Sequence, residues 1–518
     1  MNKNNTFLKG TIVLTASGIF VKLLSAVYRI PITRMIGAQG MGHYSATFNV
    51  FMPFFSFAIA GITPTVSKLC AKCDVKDKNS IFNIKKKASK CFGLLSLLMS
   101  ILALITAWIY SQKIESPIIF YGVLIMCPNL IFACFEAIYR GVSQGTLDMI
   151  PTAKGSLTES LSKVLIGVSS VYIAGMVVKN NAGEAQLICA FFTVTISGFL
   201  CWWYFKENFK EKYNDFVKTK TNITNSILIS MFLPISFSAL VVSFANFFDT
   251  VVCLSIVKNI SDYSLMTAYP FISFSAVQDK AMWLFGVYQG LCLSVTNLIP
   301  SLAAAVGSRG LPLITKSAEH GFKEMDKSVT LIFKITAAVT VPISIFTSFF
   351  PFEILSVLYG DRGAQTELAA YFLKILAPLS IITSFSFPFN STLHALGKST
   401  SVLKILMLAC GVKIAVGTFL CSMDKINIMG CIYSQVVFRF TVFFMSVREI
   451  KKGRNTIKTV RFMIVPFVVS YVLASFVRAL RNFVLYNLPV VFNTFFCGSI
   501  FVVSYVVIMF FTGFFVDK

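Results

Sequence analysis

Fourteen long apolar stretches, separated by polar loops, run along this chain of 518 residues. A bilayer core about 30 Å thick takes roughly 20 apolar residues per helix, so each stretch predicts one membrane crossing. Backbone groups without partners cannot face lipid, and the predicted fold class is therefore an all-α polytopic membrane protein. The predicted spans are 10–30, 44–66, 91–111, 118–139, 155–178, 186–205, 225–257, 281–303, 330–350, 367–390, 400–422, 426–447, 459–480 and 488–514.

The basic residues of the loops predict the orientation. The N-terminus and the loops after even-numbered spans carry about three times as many lysines and arginines as the opposite loops, which predicts that both termini lie in the cytoplasm. Lys22 lies inside the first span and no small-residue cleavage site follows it, so we expect a retained helix and not a signal peptide. The predicted location is the bacterial plasma membrane.

Composition supports a membrane protein and argues against a nucleic-acid partner. Hydrophobic residues make up 56% of the chain and charged residues only 13%. The net charge of +24 comes from 46 basic and 22 acidic residues. Those basic residues lie mainly in short loops beside the membrane, where anionic lipid accounts for them. We therefore expect the bilayer, and no nucleic acid, as a partner.

The sequence predicts no metal, nucleotide or catalytic site. The pair Cys70 and Cys73 is a single C-x-x-C motif, and the three histidines are far apart in sequence. The segment Gly397-Lys398-Ser399 resembles the end of a phosphate-binding loop, but Thr392 stands where that motif needs its first glycine. No nucleophile and base pattern accompanies these residues, so we expect a protein that is not an enzyme and has no cofactor.

The chain contains a weak internal repeat. Several residues of predicted helices four and five recur 250 positions later, in helices ten and eleven. The repeated positions are Pro128 and Pro378, Phe135 and Phe385, Lys163 and Lys413, and Gly167 and Gly417. A parallel repeat predicts two six-helix lobes with a central cavity between them near the bilayer midplane. We expect an N-terminal lobe at 1–222, a C-terminal lobe at 223–450, and a final helix pair at 451–518.

Charged residues inside the spans are the candidate functional groups, because a charge at mid-bilayer costs at least about 2.5–3.5 kcal/mol. Glu159 and Lys163 are four residues apart, which favours an ion pair on one helical face. That pair is either structural or a site for a coupling cation. Asp249 is the other deep carboxylate, and Lys413 is a deep cation of the second repeat.

The first helix carries cations without acidic neighbours. Lys22 and Arg29 are two helical turns apart and share a face, and Arg34 follows them. No acidic residue occurs between Met1 and Cys73. A distant carboxylate could neutralise these cations, or they could bind an anionic ligand such as a diphosphate, which the planar fork of an arginine suits.

Three motifs resemble the stage V sporulation protein B family, within the multidrug/oligosaccharidyl-lipid/polysaccharide exporter superfamily. The opening, from Lys22-Leu23-Leu24 through Tyr28-Arg29 to the segment 34–44, is similar to that of the family. The loop Arg140-Gly141-Val142-Ser143-Gln144-Gly145 resembles its R-G-x-x-Q-G motif, and Glu159 with Lys163 resembles its E-x-x-x-[RK] pattern. Asp249 and Lys413 also stand where the family tends to have an acid and a lysine.

The resemblance implies two lobes arranged in a V, which form a flippase that opens alternately to each side of the plasma membrane. Its cargo would be an undecaprenyl-diphosphate-linked saccharide, a peptidoglycan precursor for the spore cortex. In related lipid II flippases basic residues of the first helix face the cavity, and the matching positions here are Lys22 and Arg29. Lys163, Lys413 and Arg34 would add positive charge. Gly37, Gly40 and Gly42 would let the first outer loop bend.

Without a nucleotide site, the expected driving force is the membrane potential or a monovalent cation bound at Glu159 or Asp249. We expect a monomer, which cell-wall synthesis proteins could contact. Two alternatives stay open. A cation-coupled multidrug exporter would line its cavity with carboxylates and aromatic rings. A non-transporting scaffold for cortex synthesis would make the cavity charges dispensable.

Overall fold

The computed structural model describes most of the chain. The described residues are 3–71, 78–178, 181–213, 225–270, 272, 277, 279–303, 322–396, 398–451, 462–483, 489–512 and 514. Within these ranges every regular element is helical. The predicted all-α class is confirmed.

The described residues of the first half of the chain form eight α-helices and one π-helical turn. They are α1 (Lys3–Ile59), α2 (Ile62–Ala71), α3 (Lys78–Ile114), α4 (Pro117–Gly145), α5 (Ile150–Ser162), the π-helical turn Lys163–Gly167, α6 (Val168–Val177), α7 (Ala182–Tyr213) and α8 (Asn225–Val257).

The second half is also helical throughout its described ranges. It contains α9 (Asp262–Ala268), α10 (Lys280–Phe285), the π-helical turn Gly286–Cys292, α11 (293–303), α12 (Phe322–Phe349), α13 (Pro351–Tyr359), α14 (Ala364–Ala395), α15 (Ser399–Cys421), α16 (Met429–Lys451), α17 (Ile464–Phe483) and α18 (Val490–Phe511).

Thirteen helical segments of the described chain are long and apolar enough to cross a membrane. The first, Phe20–Ala71, has 52 residues and covers the first two predicted spans. At 1.5 Å per residue this segment would measure about 78 Å, enough for two crossings. The one non-helical residue inside α1 is Gly37, with φ 70° and ψ −172°. Two helices therefore meet at a kink at Gly37. The first contains the first predicted span, and the second contains the second predicted span up to Ile59, after which α2 begins beyond the turn at residues 60–61.

The chain divides into two compact units, which are Met1–Ser255 and Ile256–Lys518. Most of α8, which we assigned to the second lobe, packs within the first unit. Polar contacts join α8 to the second half of α1 and to the turn that follows it, at three levels seven residues apart along α8. They are Gly61 N–H to Ser236 Oγ at 3.2 Å, Ser56 Oγ to Ser243 Oγ at 2.7 Å, and Asn49 Nδ2 to Thr250 Oγ1 at 2.7 Å. The predicted lobe limits at 222 and 450 stay predictions.

In the second unit, the C-terminal helix pair is attached to the preceding helices. Arg481 of α17 forms an ion pair with Glu353 of α13. The Tyr505 hydroxyl of α18 donates a hydrogen bond to the Ala338 carbonyl of α12 at 3.1 Å. Buried Phe333, Phe385 and Phe389 form the aromatic centre of this unit.

Candidate functional site

Helix α1 positions the cations of the first span. Lys22 and Arg34 are exposed and Arg29 is partly buried. Tyr28, beside Arg29, is buried against Ile32, Val171 and Ala190, and these contacts fix this turn of α1 on the α6 and α7 helices. Two helical turns separate Lys22 from Arg29, a rise of about 10.5 Å.

The described part of the chain gives neither Lys22 nor Arg29 a carboxylate partner. Arg29 Nε is buried and lacks a hydrogen-bond partner among the described residues. A buried donor without a partner costs free energy, about 1–3 kcal/mol for a typical group. Arg34 is different, because it takes part in an interaction of its own. Lys22 and Arg29 therefore keep the arrangement that favours an anionic ligand, whereas Arg34 already has an interaction partner.

Lys163 is paired, as the four-residue spacing predicted. Its Nζ lies 2.6 Å from Glu159 Oε1, and both side chains are 31% exposed. Lys163 also begins the π-helical turn Lys163–Gly167. Such turns are rare and occur frequently at functional sites. No feature of the sequence indicates this turn.

A second ion pair lies next to the first. Arg140 and Glu136 pair across one turn of α4, and the Arg140 guanidinium lies 5.7 Å from the centre of the Phe205 ring. The ligating atoms of Glu136, Glu159 and Cys201 all lie within 4.8 Å of one another. The three residues come from α4, α5 and α7, so only the folded chain brings them together. We name Glu136, Arg140, Glu159 and Lys163 the charge quartet.

The charge quartet has its own counter-ions. A metal ion held by the carboxylates and Cys201 would compete with Arg140 and Lys163 for the same oxygens. Arg140 and Lys163 already balance the charges of Glu136 and Glu159. The arrangement therefore favours an exchange of ion-pair partners among these four side chains over the binding of a divalent metal ion.

Tyr44, which lies in α1 after Gly37, is near both the charge quartet and Arg29. Its hydroxyl group is close enough to interact electrostatically with both Arg29 and Lys163. Its ring stacks on Phe191 of α7 with centroids 5.6 Å apart. Arg29 and Lys163, which we predicted as separate cavity cations, are therefore near the same tyrosine in the first unit. The sequence analysis did not identify Tyr44 as a site residue, although Tyr44 ends the segment 34–44 that resembles the family.

The other predicted residues lie elsewhere. Asp249 in α8 is only 4% exposed and has an interaction partner. It lies next to Thr250, whose side chain contacts Asn49 and whose carbonyl accepts from the Tyr110 hydroxyl at 3.1 Å. No contact in the described chain links Asp249 to Lys22 or Arg29.

Lys413 lies in the second unit. It is only 1% exposed, its Nζ lies 5.4 Å from the centre of the Phe438 ring, and it has a further partner. Arg439, one residue on from Phe438, is also buried, and its Nη1 has no hydrogen-bond partner among the described residues.

The predicted motif glycines have two different roles. Gly37 has the positive φ of a bend, whereas Gly40 and Gly42 continue the helix. Gly141 and Gly145 make close helix contacts. A Cβ at Gly141 would lie 2.8 Å from Val66 Cβ, and one at Gly145 would lie 2.6 Å from the Ser67 carbonyl oxygen. The R-G-x-x-Q-G motif is thus the place where α4 crosses α2, with Gln144 half-buried between the two glycines.

The fold and the membrane-embedded charges define a polytopic helical membrane protein of the transporter type. The profile of the polysaccharide biosynthesis protein family matches residues 7–273, and that of the MatE family matches residues 289–419. The first match covers more than half of the chain, which therefore belongs to the polysaccharide biosynthesis protein family.

Individual proteins agree with this assignment. Stage V sporulation protein B of Bacillus subtilis (strain 168) is 23% identical over 440 residues, which cover 82% of this chain and 80% of that protein. The resemblance to its family is confirmed.

Two solved structures share the fold. Lipid II flippase MurJ in an inward closed conformation matches with a TM-score of 0.62 and 13% identity, covering 97% of this chain and 98% of its own. An inward-facing multidrug resistance MATE family transporter of the MOP superfamily matches with a TM-score of 0.63 and 14% identity, covering 85% of this chain and 98% of its own.

Proposed function

We propose that this protein is a flippase that moves an undecaprenyl-diphosphate-linked saccharide across the bacterial plasma membrane by alternating access. The observation that carries the proposal is the pair Lys22 and Arg29, two cations on one face of α1 without a carboxylate partner in the described chain. A diphosphate supplies the missing negative charge, and the arginine fork can bind it through two hydrogen bonds.

The relatives support this substrate class. One relative is named for a sporulation stage and one structural neighbour is a lipid II flippase. By this likeness the cargo is a lipid II-like peptidoglycan precursor for the spore cortex. The saccharide would cross in water-accessible space while its polyprenyl tail stays in lipid. Lys163 and Lys413 would add to the positive potential, and both termini would lie in the cytoplasm.

The charge quartet is the proposed coupling element. Protonation of Glu159, or its contact with a monovalent cation, would release Lys163 toward Tyr44 and the Arg29 region. Asp249 is the alternative coupling carboxylate. In this scheme the membrane potential or a cation gradient supplies the free energy, and the protein acts without a cofactor and without catalysing a covalent reaction.

The test is binding and transport in the purified protein. The variants Lys22→Gln and Arg29→Gln keep side-chain length and remove charge. Each should weaken binding of a short-chain polyprenyl diphosphate at least tenfold and abolish lipid II translocation in proteoliposomes. Lys210→Gln, on the exposed end of α7, is the matched control and should leave both measurements unchanged.

Binding that survives in both variants would contradict the assignment. A multidrug exporter is the second candidate, favoured by the buried carboxylate Asp249 and by the MATE neighbour. It predicts instead that a cationic dye is transported and that Asp249→Asn abolishes this transport. A non-transporting scaffold predicts that every cavity variant supports growth of a flippase-depleted strain.

A further inference from the structure

Two buried cysteines flank the hairpin between α15 and α16. Cys421 is the last residue of α15, and Cys431 lies in the first turn of α16. Both are almost fully buried, with relative exposures of 0% and 2%. Their Sγ atoms are 3.4 Å apart. The sequence presented them only as two of many apolar-segment cysteines, ten residues apart.

The surrounding contacts hold the two sulfurs together. The Asn427 side chain is fully buried, and its Oδ1 accepts hydrogen bonds from the Tyr269 hydroxyl at 2.7 Å and from the Ile428 N–H at 2.6 Å. The Tyr288 hydroxyl reaches the Cys431 carbonyl at 3.4 Å. The Gly430 backbone lies so close to Cys421 that a Cβ there would be 2.8 Å from the Cys421 sulfur. The hairpin is therefore fixed on both sides.

The hairpin follows the eleventh predicted span, so the charge pattern predicts that it lies on the outer side of the membrane. Disulfides form and persist on that side, whereas cytoplasmic thiols stay reduced. A disulfide needs sulfurs about 2.05 Å apart, so a further approach of about 1.3–1.4 Å would join them.

We propose that Cys421 and Cys431 form a disulfide that closes the outer hairpin. Both thiols are oxidised, and the oxidant is a small-molecule or protein disulfide at the outer surface. The thiolate of one cysteine attacks that disulfide, and one of its sulfurs leaves as a thiol. The second cysteine then displaces the other sulfur, which leaves as a second thiol. The external disulfide thus gains two electrons and two protons, and one sulfur–sulfur bond replaces another.

The buried sulfurs react before the hairpin is fully packed, during insertion of the two helices. Once formed, the bond lies beneath Asn427 and Tyr269 and is protected from reductants. This proposal concerns the covalent structure of the chain and is independent of the transported substrate.

The experiment is peptide mapping without reduction. Membranes are isolated in N-ethylmaleimide, which blocks free thiols, and the protein is digested and examined by mass spectrometry. The expected result is one peptide pair linked through Cys421 and Cys431, with neither residue alkylated. Cys410, a buried cysteine on the same helix, is the internal control and should carry the label after denaturation.

Two variants sharpen the result. In Cys421→Ser the label should appear on Cys431, and in Cys431→Ser on Cys421. The Tm of both variants should lie a few degrees below that of the wild-type protein, because the bond no longer constrains the unfolded chain. Alkylation of both cysteines in the wild-type sample would overturn the proposal, as would a linkage of either residue to another cysteine.

Discussion

At the residue scale, the spacing of charges predicted the local pairs and missed how they assemble. Glu159 and Lys163 pair at 2.6 Å, as two residues four apart on a helix should. The approach of Glu136 and Cys201 to Glu159 depends on the packing of three helices. No periodicity within one helix contains that information. The Lys22 and Arg29 arrangement could be recognised in the sequence because the continuous segment around these two residues contains no acidic residue.

The Glu136 and Arg140 pair makes a prediction at this scale. Their side chains are 11% and 25% exposed, so removal of one partner leaves a charge in a largely dry site. Arg140→Met should lower the free energy of unfolding by about 3 kcal/mol, the low end for breaking a buried pair because some exposure remains.

The double variant Glu136→Gln with Arg140→Met removes both charges and should recover most of the stability, because replacing a complete buried pair is often close to neutral. Thermal or denaturant unfolding in detergent, run as a double-mutant cycle, measures the coupling. The second single variant of the cycle is Glu136→Gln. A loss of stability in the double variant equal to the sum of the losses in the two single variants would show that the residues do not interact.

At the scale of elements, the hydrophobic pattern predicted the helices well and their junctions poorly. The connection between the first two predicted spans was expected to be an irregular loop, because it contains Gly37, Gly40 and Gly42. Within α1 only Gly37 leaves the helical conformation, so the two helices meet at one kinked residue. Intrahelical hydrogen bonds satisfy the backbone around the other two, so helix continues through both. Likewise, the amino-acid composition around Lys163 does not indicate the π-helical turn that begins there.

The crossing of α4 over α2 gives a prediction about a single methyl group. Gly145→Ala places a Cβ 2.6 Å from the Ser67 carbonyl oxygen, so the helices must separate. The Tm should fall by several degrees. Gly411→Ala in α15 is the matched control, because its Cβ would meet nothing within 4 Å. Since alanine favours helix over glycine by about 1 kcal/mol, this variant should be neutral or slightly stabilised. A similar Tm for both variants would contradict the close contact.

At the scale of the whole molecule, the alternation of basic loops predicted a topology and the internal repeat predicted two lobes. Two compact units are present, and their limit falls at Ser255, near the C-terminal end of α8 and not before α8. The polar contacts of α8 with α1 and with the turn that follows α1 explain this position, since Asn49, Ser56 and the Gly61 backbone find their partners on α8. A sequence repeat identifies equivalent helices, but it does not identify the helix against which each one packs.

The predicted orientation can be tested with reporter fusions. Alkaline phosphatase is active only on the outer side of a bacterial membrane. A fusion after Lys425, in the hairpin between α15 and α16, should be active, and a fusion after Lys451, at the end of α16, should be inactive. Green fluorescent protein at the same positions should give the opposite pattern. Reversal of both reporters would place the termini outside and contradict the positive-inside prediction.

The continuity of α1 has a mechanical consequence. The span that carries Lys22 and Arg29 and the span that bonds to α8 are joined through one non-helical residue, Gly37. A ligand that bound at Arg29 and tilted the first span would change the angle between the two helices through the φ and ψ of Gly37. That change would be transmitted to the helix whose Asn49 and Ser56 side chains contact α8.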